Sequence, residues 1–89
     1  MPPAELEALL LTHPSIADAA VTGRPHDRHG EVPVAYVVAT GPLEATAVIE
    51  WLANRTAGYK RLADLTVVRA LPRTPSGKLL RRMLPEGAT

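Results

Sequence analysis

The sequence has no cysteine, and its aromatic residues amount to only 3% of the chain: Tyr36, Trp51 and Tyr59. Without cysteine there is no disulfide, no zinc thiolate site and no thiol nucleophile, which agrees with a reducing cytoplasm. So few aromatic side chains offer little on which the bases of a nucleic acid could stack. These absences argue against a secreted disulfide scaffold and against a nucleic-acid-binding domain.

No targeting or membrane segment is predicted either. The N-terminus carries Glu5 and Glu7 in place of a basic region and an apolar run, so no signal peptide is predicted. No apolar stretch approaches the length of a membrane span. With 89 residues, 46% of them hydrophobic, the sequence predicts one small domain with a modest core and little room for an enclosed active site. Any chemistry is therefore expected at its surface.

The charges are divided unevenly along the chain. Residues 1–52 hold two basic and seven acidic side chains, whereas residues 53–82 hold eight basic side chains and one acidic side chain. Opposite charge attracts an anionic partner to the basic part. The second part of the chain is therefore where a binding site for an anion is expected.

Periodicity and turn signals predict the order helix, strand, strand, helix, strand, loop, short helix. The predicted elements are a helix at about 4–12, strands at 15–25 and 32–40, a helix at 43–58, a strand at 65–71 and a short helix at 78–84. The valine-rich second strand is typical of a strand covered on both faces. We predict an α+β fold over residues 1–84, with a small three-stranded mixed sheet and flanking helices, and a flexible tail at 85–89.

One glycine-lysine pair, Gly77 and Lys78, stands in the predicted loop of LPRTPSGKLLRR. A nucleotide-binding P-loop needs a glycine five positions before this pair and a serine or threonine directly after it. Those positions are Pro72 and Leu79, so a self-contained phosphate cradle is excluded.

What remains is a rigid frame around one cation. Pro72 and Pro75 fix φ at two points, Gly77 permits close backbone approach or a positive φ, and Leu79 with Leu80 tie the following turn to the core. An ammonium held about 4 Å from an anion gains roughly 4 kcal/mol near a protein surface. The plainer interpretation is that Lys78 is one more solvated charge, because a glycine-lysine pair alone is a weak motif.

Three stretches together resemble the C-terminal domain of the adenylate-forming enzymes, the superfamily of acyl-CoA and aryl-CoA synthetases, luciferase and peptide-synthetase adenylation domains. They run from about Pro3 to Arg82: PPAELEALLLTHPSIADAAVTGRP, HDRHGEVPVAYVV and AGYKRLADLTVVRALPRTPSGKLLRR. The last contains Pro-Arg-Thr-Pro-Ser-Gly-Lys, the most specific C-terminal signature of that superfamily. Within it, the acid-CoA ligases are the most similar group.

The resemblance implies a catalytic role for Lys78. The corresponding lysine reaches into a cleft formed with a larger N-terminal domain and bridges the acid's carboxylate and the α-phosphate of ATP. A compact cation suits this step because the pentavalent phosphate gathers negative charge. The domain then rotates and presents another face for thioester formation with coenzyme A or a carrier-protein pantetheine. Reversible acylation of this lysine, which removes its charge, makes a lysine acyltransferase or deacylase an implied partner.

The resemblance also implies which parts of the enzyme lie outside this sequence. The large N-terminal domain of the superfamily holds the ATP phosphate-binding loop, the acid pocket and the magnesium ligand. ATP and coenzyme A are therefore expected as co-substrates, with Mg²⁺ bound mainly by that other domain. We expect the 89-residue chain to be an excised or separately made domain that is inactive alone.

Other residues are weaker candidates. By resemblance Gly77, Lys60 and Arg61 are assigned to substrate binding, with Lys60 and Arg61 attracting the phosphates of coenzyme A. A solvated lysine after a helix stop at Gly58 is the plainer interpretation of Lys60. Trp51 lies at core spacing on its helix, which predicts packing.

The polar segment between the first two strands offers two further candidates. His26 and His29 are three residues apart but lack further ligands, so we predict a polar turn and no metal site. Gly30 and Glu31 are interpreted as a turn glycine and an edge carboxylate, although the resemblance places this loop near the interdomain interface in one conformation. His13 is expected at a helix end.

The sequence thus favours the C-terminal domain of a cytoplasmic ATP-dependent acid-CoA ligase, with a role in fatty acid metabolism. One alternative is a free-standing, non-catalytic interaction module with the same fold. Another is a piece of an adenylation domain that acts on a carrier protein.

Overall fold

A computed structural model describes residues 3–26, 30–56 and 62–80 of the chain. It contains, in order, helix α1 (Pro3–Leu10), strand β1 (Ile16–His26), strand β2 (Gly30–Ala39), helix α2 (Ala45–Ala53) and strand β3 (Asp64–Val67). The predicted α+β class is confirmed. Neither helix has the length and apolar character that crossing a membrane requires, as far as the described residues extend.

The three strands form one mixed sheet in the order β1-β2-β3. β1 and β2 pair antiparallel from Ile16 opposite Ala39 to His26 opposite Gly30, with an irregularity between Ile16 and Asp18. β2 and β3 are parallel, and α2 lies between them in sequence, as a βαβ connection requires. The strand order, which the sequence left open, places β2 in the centre.

Several predicted bounds are corrected. α1 ends at Leu10, and the amide groups of Thr12 and His13 donate to Leu9 and Leu10 in a tightened last turn. Pro14 prevents the helix from continuing beyond this turn, since a residue before proline is disfavoured in the helical region. α2 begins after Glu44, whose carboxylate accepts the Ala47 N–H at 2.9 Å.

The two hydrophobic clusters of the core lie on opposite faces of the sheet. The first cluster lies under α1 and α2, and the second covers the other face of β2. The buried members of the first are Leu6, Leu10, Ile16, Ala19, Val21, Ala35, Val37, Val48, Leu52, Leu62 and Leu65. Those of the second are Ala20, Val34, Tyr36 and Leu71. Alternation along β2 divides its buried residues between the clusters, which confirms a strand covered on both faces.

The segment that follows β3 covers the second face. β3 ends at Val67, four residues before its predicted end, and the chain then places Leu71 and the partly buried Leu79 against the second cluster. The predicted final helix is not formed at its described start, where Leu79 makes an antiparallel bridge with Arg73. Residues 81–84 of that predicted helix, and the predicted tail at 85–89, lie outside the described residues.

Candidate functional site

The predicted lysine loop is a small hairpin, residues 73–79, which we call the lysine hairpin. Its turn is closed by the Gly77 N–H, which donates to the Thr74 carbonyl at 2.8 Å. The Thr74 N–H donates to the Lys78 carbonyl at the same distance. Gly77 has a φ of 92° and thus lies where L side chains are disfavoured, so the positive φ expected at this glycine is confirmed. The backbone pairing of Lys78 in this hairpin explains why no helix begins there.

The Thr74 hydroxyl fixes the backbone next to the lysine. It accepts the Lys78 N–H at 3.0 Å, and it lies 2.9 Å from the Ser76 hydroxyl, where either oxygen can be the donor. Threonine hydroxyls commonly form such local bonds in turns. Both polar backbone groups of Lys78 therefore have a partner within its own hairpin.

Apolar contacts attach the two ends of the lysine hairpin to the sheet. Leu71, two residues before it, is 9% exposed and belongs to the second cluster with Tyr36. Leu79, its last residue, packs against the same cluster. Just beyond, the Leu80 N–H donates to the Pro72 carbonyl at 2.8 Å. The predicted attachment by Leu79 is confirmed, and the turn between these ends extends into solvent.

An ion pair attaches the hairpin to β1. Arg73 binds both carboxylate oxygens of Asp18, with Nε 2.9 Å from Oδ2 and Nη2 2.7 Å from Oδ1. The hydrogen bonds from Arg73 hold the pKa of the Asp18 carboxyl below its ordinary value, and the carboxylate in turn raises the pKa of Arg73. Bidentate pairs of this kind fix orientation as well as distance. No local sequence pattern indicates this pair, because its partners are 55 residues apart.

Lys78 itself has an exposed side chain. Within 3–26, 30–56 and 62–80, the observed salt bridges join Arg24 to Asp64 and Arg73 to Asp18, and neither involves Lys78. The backbone of the lysine is thus held while its ammonium remains accessible. Such an arrangement can lend a positioned cation to an anionic group on another molecule or domain.

Replacing Gly77 by alanine should destabilise the domain by about 1–2 kcal/mol, the approximate cost of a left-handed backbone for a residue with a Cβ. No atom lies within 4 Å of the Cβ that either Gly77 or Gly41 would gain, and Gly41 does not have a positive φ. Comparing the urea unfolding of Gly77→Ala with that of Gly41→Ala therefore isolates the free-energy cost of the backbone conformation at residue 77. Equal unfolding midpoints for the two variants would contradict the assigned conformation.

The remaining predicted residues are only partly described. Lys60 and Arg61, assigned to substrate binding, lie outside the described residues, as do Gly58 and Tyr59. Trp51 is half-buried against the first cluster, which confirms packing.

Trp51 also has two polar neighbours. The His13 ring meets it edge-on with centroids 4.8 Å apart, and the Arg55 guanidinium lies 4.0 Å above it. His13 follows the end of α1, as expected, and its Nδ1 accepts the Ser15 N–H at 3.1 Å. These contacts account for Trp51 as a packing residue between α2 and the segment that follows α1.

The segment between β1 and β2 is described at its ends only. Gly30 opens β2 with a φ of 73°, in agreement with a turn glycine, and Glu31 is exposed at the start of the same strand. His26 ends β1, while His29 lies outside the described residues. Where the structure describes the chain, no group of three or more His, Asp or Glu side chains could hold a metal ion.

Comparison with known proteins gives concordant matches to one family. The family model for the AMP-binding enzyme C-terminal domain matches residues 5–78. The 4-coumarate–CoA ligase of Pinus taeda is 49% identical over 82 residues, which are 92% of this chain and 15% of that protein. The chain thus spans about a sixth of the length of such relatives.

Solved structures show the same similarity. The o-succinylbenzoate CoA synthetase of Bacillus subtilis in complex with its acyl-adenylate intermediate has a TM-score of 0.88 and 40% identity, covering 98% of this chain and 18% of that chain. The same enzyme in complex with ATP and magnesium ion has a TM-score of 0.82 and 43% identity, covering 92% of this chain and 17% of that chain.

Proposed function

Since the chain belongs to the AMP-binding enzyme C-terminal domain family, we propose that it is the C-terminal domain of an ATP-dependent acid-CoA ligase in which Lys78 promotes acyl-adenylate formation. The observation that supports this most is the lysine hairpin, which holds the backbone of Lys78 and leaves its side chain exposed. The family match also ends on this lysine. The larger N-terminal domain is then the partner of this chain.

In the first half-reaction, a carboxylate oxygen of the acid attacks the α-phosphorus of ATP. The bond between the α-phosphorus and the bridging oxygen breaks, and pyrophosphate leaves as the acyl-adenylate forms. Negative charge on the α-phosphate oxygens is greatest in the transition state, so a cation placed there lowers the barrier more than it strengthens substrate binding. In this proposal the Lys78 ammonium is that cation.

Magnesium ion, when bound, neutralises charge on the phosphates. We assign it mainly to the N-terminal domain. The described residues of this chain contain no group of three carboxylate or histidine side chains that could hold it. The structure with ATP and magnesium ion is that of a relative.

In the second half-reaction, the thiol of coenzyme A attacks the acyl carbon and AMP leaves. The domain would rotate so that a different face borders the cleft, with Lys60 and Arg61 attracting the phosphates of coenzyme A. Relatives named as CoA ligases favour coenzyme A over a carrier-protein pantetheine as the acceptor. The cytoplasmic location and the role in fatty acid metabolism stay predictions.

The proposal is tested by removing and restoring the domain. A protein that joins residues 1–89 to an upstream ATP-binding domain should form acyl-CoA from acid, ATP and coenzyme A. That ATP-binding domain alone, and the 89-residue chain alone, should form almost none, because each holds only part of the site. Undiminished acyl-CoA formation by the ATP-binding domain alone would refute the assigned role.

The free-standing interaction module makes the opposite prediction. If the reading frame upstream of Met1 encodes no ATP-binding domain and the chain binds a protein without supporting adenylation, that alternative is correct. Acyl transfer to a carrier protein, with none to coenzyme A, would instead identify the carrier-protein reaction.

A further inference from the structure

Arg73 connects three acceptors that belong to two distant parts of the chain. Besides its two bonds to Asp18 on β1, its Nη1 donates to the Gly77 carbonyl at 2.9 Å. The guanidinium is planar and its donors have fixed directions, so the three bonds together fix the Gly77 carbonyl relative to β1. Arg73 therefore does more than neutralise a carboxylate.

The Gly77 carbonyl belongs to the peptide bond that precedes Lys78. The same planar unit contains the Lys78 N–H, which is held by the Thr74 hydroxyl at 3.0 Å. Arg73 and Thr74 thus hold the two polar groups of this peptide plane. The plane in turn limits the direction in which the Lys78 side chain leaves the backbone.

Apolar contacts do little to order the turn of the lysine hairpin. The four residues of the turn are all exposed: Pro75, Ser76, Gly77 and Lys78. The apolar contacts with the second cluster come from Leu71, two residues before the hairpin, and from Leu79, its last residue. Segments with few buried apolar contacts depend on hydrogen bonds for their local order. The bonds from Arg73 connect this turn to Asp18 on β1, whereas the bonds made by Thr74 lie within the hairpin.

We propose that Arg73 is a positioning residue for Lys78, anchored on Asp18 and acting through the Gly77 carbonyl. This inference rests on the proposed function, since it assigns Arg73 to the adenylation step. It also makes a purely structural claim about the hairpin, which can be tested without any assay of activity.

The functional test measures the two half-reactions separately in the protein that joins this chain to its ATP-binding domain. Arg73→Ala should lower the kcat of acid-dependent pyrophosphate exchange about 10- to 100-fold, because displacing a reacting group by about 1 Å costs this much. The KM for ATP should change little. Thioester formation from supplied acyl-adenylate should keep its rate, since that step does not use Lys78.

Asp18→Asn distinguishes positioning from direct contact with substrate. If Arg73 acts through its anchor, Asp18→Asn should also slow exchange selectively, and Arg73→Lys should restore only part of the rate because an ammonium lacks the planar donor arrangement. Exchange that is unaffected by Asp18→Asn but lost in Arg73→Ala would overturn the positioning role. Arg55→Ala is the matched control, since it removes an exposed guanidinium that donates to the Trp51 carbonyl, away from the hairpin.

The structural test uses the 89-residue chain itself. The ¹⁵N heteronuclear NOE of Gly77 and Lys78 should fall in Arg73→Ala and in Asp18→Asn, and should keep its wild-type value in Arg55→Ala. An unchanged NOE in the first two variants would refute the anchoring. If the NOE falls as expected but Lys78→Ala leaves exchange intact, the proposed function fails while the anchoring stands.

Discussion

Lys78→Ala is expected to lower acid-dependent pyrophosphate exchange about 10²- to 10³-fold in the protein that joins this chain to its ATP-binding domain, the usual effect of losing one transition-state donor. Alanine removes the exposed ammonium, while both backbone groups of residue 78 can keep their bonds to Thr74. Thioester formation from supplied acyl-adenylate should be spared. Isotope exchange between pyrophosphate and ATP measures the first step, and acyl-CoA formation from the adenylate measures the second.

The control for this variant is Arg69→Ala, which removes another exposed cation from the basic part of the chain, outside the lysine hairpin. Its exchange rate should stay within about twofold of wild type, because surface charges away from such a site have small effects. An equal loss of exchange rate in both variants would show that the reaction depends on overall positive charge. The position of Lys78 in the hairpin would then be unimportant. Wild-type exchange in Lys78→Ala would remove the catalytic assignment altogether.

Tyr36→Ala should destabilise the domain by about 3–5 kcal/mol, as truncation of large buried aromatic side chains does. Tyr36 is 2% exposed, lies in the central strand and belongs to the cluster on which Leu71 and Leu79 pack. A chain of this length has a total stability of about 4–13 kcal/mol, so the substitution should remove a large share of it. Urea unfolding followed by circular dichroism measures the loss.

Tyr36→Phe is the matched variant, since it keeps the ring and removes only the hydroxyl. This variant should lower the free energy of unfolding by about 1 kcal/mol, near the net contribution of one hydrogen bond. If Tyr36→Ala were no more destabilising than Tyr36→Phe, the second face of the sheet would not be a packed core. The lysine hairpin would then lack the support assigned to it here.

The parts of the fold that depend on local pattern were predictable. Consecutive apolar residues in 34–37 predicted a strand buried on both faces, and the structure confirms it because alternate side chains enter different clusters. The turn-forming Gly77 and the attachment by Leu79 were also predictable. Element ends were less so, since they depend on contacts such as the N-cap of Glu44.

The contact between Arg73 and Asp18 was not predictable, because it joins residues 55 positions apart and because β1 departs from strict alternation next to Asp18. Strict alternation would place Ile16, Asp18 and Ala20 on one face of the sheet. The irregularity between Ile16 and Asp18 lets Ile16 join the first cluster, while Ala20 joins the second and Asp18 meets the hairpin on that side. An extra residue in a strand changes which face its neighbours occupy.

The sequence by itself determined the order of the two helices and three strands, the run of apolar residues in β2 and the motif that carries Lys78. These follow from local periodicity, turn chemistry and residue type. Only the tertiary structure decided that Lys78 begins no helix and that Arg73 is anchored 55 residues away. The physical reason is that backbone groups of the hairpin pair with each other, and its arginine pairs with a strand whose place is set by the whole sheet.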